Sequence, residues 1–274
     1  MKEGKTMASL QDDLWLWGHV AGSHHQPKAA MWKIPGVNRM GPWEGAEYLG
    51  GIPNCCMVSF DGQPKPPFDD ASRKLTQFKK VVWSALGDKG SVRNDNGADD
   101  LDEVLRQAEK FPNVTGAILD DLFRAETKDA RVTVERMKEM RRKLHSAARP
   151  LELWVVYYSS LFGIDYSAWL DSADVISFWS WTSEDLFQAE KNLDAFIGMT
   201  PEKKHYAGCY LYNYGDLRPM TREEMEFQLA LYLRFWKEHK IDGMIVCSNT
   251  VADVGLEAVE IFRKWAVLHG GETR

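Results

Sequence analysis

Short apolar runs alternate along the chain with longer segments that repeat their apolar residues every three or four positions. The runs are almost continuously apolar, which is typical of parallel strands buried on both faces. Eight runs can be counted, and each is followed by a helical or helix-like segment. The runs begin near Asp13, Asn54, Lys80, Val114, Leu151, Asp174, Lys204 and Asp242.

The longer segments carry the start signals of helices. Acidic residues open the amphipathic segment that begins at Asp99, where they complement the helix dipole. Ser183 is predicted to cap one helix over SEDLFQAEKNLDAF, and Thr221 with Glu224 has the spacing of a capping box. Further helices are predicted from Asp69, over roughly 129–147, over 166–172 and up to His269.

This alternation predicts an α/β fold, a single (β/α)₈ TIM barrel. Strict alternation of strand and helix excludes a β-sandwich, and eight units favour closure over an open doubly wound sheet. An open sheet that binds a dinucleotide needs G-x-G-x-x-G after its first strand, whereas the sequence there is GHVAGSHH. A barrel of this type takes about 250 residues. The 274 residues are therefore predicted to form one domain, 1–274.

Composition and charge narrow the classes of function. The formal net charge is -6 and Lys and Arg are scattered, whereas a nucleic-acid partner needs a basic face. No run of about 18 apolar residues is present that could span a membrane. The first ten residues lack the apolar middle of a signal peptide, which predicts a cytoplasmic protein or a chain whose leader has been removed. The four cysteines lie in apolar runs and are predicted to be reduced and buried.

Polar residues concentrate where the predicted strands end. In a barrel of this kind, the carboxyl ends of the strands build the site. The candidates for catalysis are Asp120, Asp121, Glu184 and Asp216, and those for substrate binding are His19, His24, Asp61, Tyr158, Trp179, Trp181, Tyr214 and Asn249.

Asp120 and Asp121 follow the apolar run 117–119, which offers them no charge partner. A carboxyl at the mouth of an apolar barrel tends to have a raised pKa, which suits proton transfer near neutral pH. Because successive strand residues point to opposite faces, one of the two carboxylates is predicted to face the mouth and the other the helical shell. The alternative is that one Asp caps the next helix or pairs with Arg124.

Aromatic residues are a second signal, because the chain contains 11 Trp. Flat aromatic faces beside carboxylates and amides suit sugar rings, whose C–H faces stack while their hydroxyls form hydrogen bonds. Trp179 and Trp181 are accordingly predicted to line the site. Trp15 and Trp154 lie low in their strands and are predicted to fill the core.

Histidines cluster after the first strand. His19 is predicted to face the mouth, where it binds substrate or moves a proton, and His24 lies in the following loop. The alternative for His24 is a solvated surface position.

Several other chemistries lack their sequence signals. A metal-dependent barrel hydrolase needs His-x-His on the first strand, and a Schiff-base enzyme needs a lysine at the mouth. Lys79, Lys80 and Lys204 lie at strand starts instead. Gly-rich phosphate turns and a G-x-S-x-G nucleophile motif are also missing. The sequence therefore predicts neither a metal nor a cofactor.

The segment GAILDDLF, residues 116–123, resembles the end of strand four in the superfamily of (β/α)₈-barrel glycoside hydrolases, where a carboxylate is frequently catalytic. The resemblance implies that the protein cleaves a carbohydrate by carboxylate acid/base catalysis. Asp120 or Asp121 would be the nucleophile or would stabilise the cationic transition state. Glu184 or Asp216 would be the acid/base, with Asp61 as a reserve. A carboxyl separation of about 5–5.5 Å implies retention and roughly 6.5–9.5 Å inversion.

Two hypotheses from other classes remain open. A carbohydrate-binding barrel without turnover would use the same aromatic residues. A lyase or isomerase would use His19 or a strand-end tyrosine such as Tyr158 as its base. The oligomeric state is also open.

Overall fold

Eight parallel strands close into a barrel in the computed structural model, which describes residues 8–90, 93–94 and 98–274. Each strand pairs with its neighbours in chain order, and the last pairs with the first. The prediction of an α/β fold, a single (β/α)₈ TIM barrel, is confirmed. The strands β1 to β8 are Leu14–Gly18, Asn54–Met57, Lys80–Leu86, Val114–Leu119, Glu152–Tyr158, Val175–Trp179, Lys204–Tyr210 and Gly243–Cys247.

Helices surround the barrel between successive strands and after the last one. Across the described ranges, α1 to α9 are Pro42–Tyr48, Asp69–Lys74, Leu101–Lys110, Val134–His145, Ser167–Leu170, Ser183–Phe187, Ala189–Met199, Arg222–Lys237 and Glu257–His269. Short 3₁₀ turns cover Leu10–Asp13, Ser23–His25, Pro27–Trp32, Ser159–Leu161 and Asn249–Val251. Among the residues described, none of these helices has the length and apolar character needed to cross a membrane.

The segment between β4 and α4 differs from its prediction. The helix predicted over 129–147 begins only at Val134, where Thr133 caps it. Residues 129–130 instead pair with residues 123–124 in an antiparallel hairpin. This hairpin lies directly beyond the two candidate aspartates.

A second hairpin follows β7. The strand predicted to run as far as Asp216 ends at Tyr210. Residues 212–213 then pair with residues 218–219, so the aromatic sequence after Tyr210 belongs to a rim loop.

Side-chain caps also fix the starts of α6 and α8. The capping box of Thr221 with Glu224 at the start of α8 is confirmed. The single helix predicted after Ser183 is broken at Gln188 into α6 and α7. Its cap is Thr182, whose hydroxyl accepts from a backbone N–H in the first turn, and not Ser183 as predicted.

Aromatic side chains fill the barrel in layers. Trp15, Trp154 and Tyr206 lie near its amino-terminal end, with ring centroids 4.8, 4.9 and 6.1 Å apart. Trp15 and Trp154 are buried, which confirms their predicted place in the core. Nearer the mouth, Trp17 and Trp179 pack edge to face at 5.2 Å. The barrel below its rim is therefore a packed core.

Gly208 of β7 makes room for this packing, and replacing it tests the layer. A Cβ atom at this position would lie 2.1 Å from two ring carbons of Trp179. We expect Gly208→Ala to lower the free energy of unfolding by about 1–3 kcal/mol, because the indole must leave its place. Denaturant unfolding followed by tryptophan fluorescence measures the change.

The control for this substitution is Gly198→Ala in α7, where an added Cβ atom would meet no other atom within 4 Å. Alanine is the better helix former by about 1 kcal/mol, so this variant should be as stable as the wild type or more stable. Equal stability of the two variants would contradict the packing described for Trp179.

Candidate active site

Two carboxyl groups follow β4 at the rim of the barrel. Asp120 belongs to the inward-facing set, because Ile118 lies in register with the inward-facing Trp154. Asp121 has a φ of +43°, in the left-handed region that few residues other than glycine adopt. This turn brings its carboxylate against Tyr158 at the rim. Simple alternation would have directed it into the helical shell, so that part of the prediction is wrong.

The Asp120 carboxyl is enclosed, with 6% of the residue exposed. Burial raises its pKa well above the usual range, and the carboxylates of Asp121 and Asp88 raise it further. Arg131 acts in the opposite direction. The backbone N–H of Asp121 donates to Oδ1 of Asp120 at 2.9 Å. Asp120 therefore favours its protonated form, the form that an acid catalyst needs.

Asp121 has different surroundings, because it is only partly buried. Its Oδ1 accepts from the Tyr158 hydroxyl at 3.1 Å, and its Oδ2 accepts from the backbone N–H of Lys89 at 3.0 Å. These two donors hold both oxygens of the carboxylate in place. The two adjacent carboxyls thus have opposite surroundings, one enclosed and one reachable, an arrangement that suits acid/base chemistry.

Asp88, just beyond β3, is a third carboxyl at the rim. Its Oδ2 accepts from Nζ of Lys28 at 2.5 Å, and its Oδ1 accepts from the backbone N–H of Asp61 at 2.9 Å. Burial raises the pKa of Asp88, while Lys28 acts to lower it. The ion pair ties the loop after β1 to the end of β3. In the part of the chain that is described, no three His, Cys, Asp or Glu side chains group as a metal site requires.

Arg131 braces the ends of β3 and β4. Its Nη1 donates to the carbonyl oxygens of Gly87 and Asp120 at 2.6 and 3.1 Å. The sequence prediction missed Arg131 and Lys28. Lys28 lies 60 residues from Asp88, and Arg131 lies 44 residues from Gly87 although only 11 from Asp120, so no local pattern marks their approach to the end of β3.

Aromatic rings line the rim beside the carboxyls. Tyr158 and Trp181 pack edge to face at 5.8 Å, and both are partly exposed. Trp181 also stacks on Tyr214 at 6.2 Å and meets the edge of Tyr210 at 6.0 Å. Asp121, Tyr158 and Trp181 therefore form a contiguous group that solvent and ligand can reach.

Another part of the mouth is closed by an aromatic cluster of His24 and Trp32 from the loop after β1, Phe60 from the segment after β2 and Tyr214 from the loop after β7. Their ring centroids lie 4.9 to 5.6 Å apart. His19 lies 4.7 Å from His24 beneath the loop after β1. Of this group only Trp32 is more than marginally exposed. His19, His24 and Tyr214, predicted as substrate ligands, are therefore buried inside or below this aromatic cluster.

Both histidines are held in their neutral forms. Burial lowers the pKa of His19 to about 4. Burial and the neighbouring imidazoles lower the pKa of His24 well below its usual value. Nδ1 of His19 lies 2.9 Å from the carbonyl oxygen of Val58, which can only accept. Nδ1 of His19 therefore carries the proton, and Nε2 is left as an acceptor.

Asn249 is fully buried and connects the loops after β1 and β8. Its Oδ1 accepts from the backbone N–H of His19 at 2.8 Å. Its Nδ2 donates to the carbonyl oxygens of His19 and Met40 at 3.0 and 2.9 Å. Through these hydrogen bonds, the Asn249 side chain holds the loop after β1 against the end of β8.

The other acidic candidates have separate surroundings. Glu184 is exposed in the first turn of α6. Asp216 is exposed, and its Oδ2 accepts from the backbone N–H of Ser183 at 3.0 Å and from Nδ2 of Asn213 at 2.8 Å. Asp61 is exposed in a left-handed turn after β2, with a φ of +50°. The structure thus groups Asp120, Asp121, Tyr158 and Trp181, while Trp179 lies buried in the barrel interior.

No protein-family model matches the sequence, and no curated protein matches it. Several solved structures share the fold. A protein provisionally designated an alpha-L-fucosidase from Bacteroides thetaiotaomicron has a TM-score of 0.60 at 10% identity, covering 99% of this chain and 100% of that one. The catalytic domain of a family GH18 chitinase from the fern Peteris ryukyuensis has a TM-score of 0.57 at 10% identity, covering 94% and 100%. Tryptophan synthase from M. tuberculosis has a TM-score of 0.52 at 12% identity, covering 97% and 94%. This similarity establishes the barrel fold, which the neighbours named for a fucosidase and a chitinase share with tryptophan synthase.

Proposed function

We propose that the protein is a glycoside hydrolase that uses Asp120 and Asp121 as its two carboxyls. One observation carries the proposal: adjacent carboxyls at the end of β4 have opposite environments beside the partly exposed indole of Trp181. Asp120 is enclosed and favours its proton, whereas Asp121 is reachable and accepts two hydrogen bonds. Glycosidic cleavage needs such a pair, one member to protonate the leaving oxygen and one to meet the positive charge at the sugar.

Asp120 would be the general acid. Its proton passes to the glycosidic oxygen as the bond between that oxygen and the anomeric carbon breaks. Asp120 then carries a negative charge, which Arg131 at the same strand end helps to offset. Because burial makes that charge costly, Asp120 takes up a proton again readily and is restored for the next turnover.

Asp121 would act on the anomeric carbon, as the nucleophile or as the anion that stabilises the cationic transition state. The Tyr158 hydroxyl and the Lys89 backbone N–H each hold one of its oxygens, so the carboxylate has a fixed orientation. Fixed orientation of a reacting group lowers the entropic part of the barrier.

Trp181 and Tyr158 would hold the sugar. Their edge-to-face pair presents an aromatic surface next to Asp121, and a sugar ring placed on it would bring the anomeric carbon close to the carboxylates. Two of the structural neighbours described above are named for enzymes of carbohydrates, which supports this substrate class.

The alternative of a lyase or isomerase with His19 as base has less support from the site. His19 is buried beneath the β1 loop, and its pKa is lowered to about 4, which makes it a weak base near neutral pH. The Tyr158 hydroxyl donates a hydrogen bond to the carboxylate of Asp121. Burial and the neighbouring carboxylates raise its pKa well above the usual value, so its phenolate is disfavoured.

A panel of aryl glycosides and polysaccharides tests the proposal. We expect release of the aryl alcohol or of new reducing ends from at least one substrate, with turnover that saturates with substrate concentration. Calorimetry with the same sugars is the parallel measurement. Sugar binding without turnover would support the non-catalytic carbohydrate-binding barrel. The absence of both binding and turnover would overturn a carbohydrate function.

A further inference from the structure

An apolar groove lies between α8 and α9 on the outside of the barrel, away from the strand ends. It encloses about 540 Å³ and its floor is formed by Leu229, Leu233, Ile261 and Trp265. Charged side chains of α8, including Glu226 and Lys237, stand along its edges. A mixed border around an apolar floor is typical of a surface that another protein covers.

The apolar surface continues along α9. Ile261, Trp265 and Leu268 follow each other at spacings of four and three residues, which places them on one face of the helix. Leu268 is 73% exposed. Covering such an exposed leucine would remove apolar surface from water, which is favourable in free energy.

On α8, the residues facing the groove form a self-complementary stripe. Glu226, Ala230, Leu233 and Lys237 are separated by four, three and four residues, the spacing of a helix–helix seam. The stripe begins with an acidic residue and ends with a basic one. Glu226 is 61% exposed and Lys237 is 48% exposed, so both charges can reach a partner. The small, exposed Ala230 near the centre allows a second helix to approach closely.

We propose that this groove is the interface between two copies of the chain, with the two α8 helices antiparallel across a twofold axis. An axis that passes between residues 231 and 232 sets Glu226 of one protomer against Lys237 of its partner, twice over. It also sets Ala230 of each protomer against Leu233 of the other. A twofold interface must be complementary to itself, and this charge pattern satisfies that condition. The barrel mouths stay open, because the strand ends lie away from the outer faces of α8 and α9.

The ion pairs within each chain do not prevent this pairing. Glu226 is 3.5 Å from Arg222, and Lys237 contacts Glu272. Glu226 and Arg222 are about 60% exposed and Lys237 is 48% exposed, and pairs at the surface exchange partners at little cost in free energy.

Charge reversal tests the interface, with the molar mass measured by sedimentation equilibrium up to about 1 mM protein, a range that covers weak interfaces. The wild type should dimerise. Glu226→Lys and Lys237→Glu should each weaken dimerisation by about tenfold, because each places like charges together twice. An equimolar mixture of the two single variants should recover the wild-type affinity to within about threefold, since both mixed pairs are again opposite in charge.

Glu109→Lys is the control, an exposed acid on α3, which follows β3 on the far side of the barrel from β7. It should dimerise as the wild type does, and thermal unfolding should show all three variants folded. A wild type that stays monomeric over the whole range overturns the proposal. So does a dimer that the single variants leave unchanged, or a mixture of the two that recovers nothing.

Discussion

Asp121→Asn is expected to lower turnover of a hydrolysed glycoside by roughly 10³–10⁵-fold, because it removes the anion that meets the sugar cation. The amide also places an N–H₂ group against one of two existing donors, the Tyr158 hydroxyl and the Lys89 backbone N–H. The loss should be similar for aryl glycosides with good and with poor leaving groups, since Asp121 acts on the sugar side of the bond. Steady-state rates over a series of aryl leaving groups measure this.

Asp70→Asn is the matched control, because Asp70 is a solvated acid on α2 whose ion-pair partner, Arg73, lies one turn away. Its turnover should equal that of the wild type. Circular dichroism and thermal unfolding should show both variants folded. An Asp121→Asn protein that keeps more than about a tenth of the wild-type turnover would remove Asp121 from the chemistry, because a lost reacting group costs far more than that.

The barrel could be predicted because two periodicities alternate without exception. Runs such as 153–158 are apolar at successive positions, which is typical of a strand covered on both faces. The segments between them bury one face, as in α3. The elements that the prediction missed are the two rim hairpins. Their strands are two residues long, too short to display a period.

The place of the site could be predicted from the same alternation, since parallel strands bring their carboxyl ends to one rim. Trp181 shows how far that rule extends. It lies past the end of β6 and is partly exposed, whereas Trp179 is the last residue of the strand and packs over Gly208. A difference of two positions thus separates a rim residue from a core residue, although the sequence pattern predicts that both tryptophans line the site.

The orientation of Asp121 could not be predicted, because it depends on a left-handed backbone at a residue other than glycine. Local sequence gives little warning of this conformation, although Asp adopts it more readily than most residues. The ion pair of Lys28 with Asp88 is equally hidden, since 60 residues separate the partners. Contacts of this kind are set by how loops pack over the rim, and that information is not local.

Asp120→Asn is expected to have opposite effects on stability and on catalysis. The folded-state pKa of Asp120 is raised by burial and by two nearby carboxylates. The favourable contribution of its proton is therefore complete below the unfolded pKa of about 4, and it is lost as the pH rises through the folded pKa. Asparagine stays neutral throughout and can still accept from the Asp121 N–H. The variant should match the wild type near pH 4 and exceed its stability by about 1–3 kcal/mol at pH 8. Denaturant unfolding at the two pH values measures this.

Catalysis by Asp120→Asn should depend on the leaving group, which separates its role from that of Asp121. Glycosides with poor leaving groups need a proton and should lose about 10²–10⁴-fold in kcat/KM, whereas those with very acidic phenols should lose far less. In the wild type, kcat/KM should fall as the pH rises through the folded pKa of Asp120, and this alkaline limb should disappear in the variant. A variant that is more stable at pH 8 and still cleaves every glycoside at the wild-type rate would show that Asp120 is not the general acid. Burying the Asp120 carboxyl costs the protein stability near neutral pH, and we expect it to be retained because its proton serves catalysis.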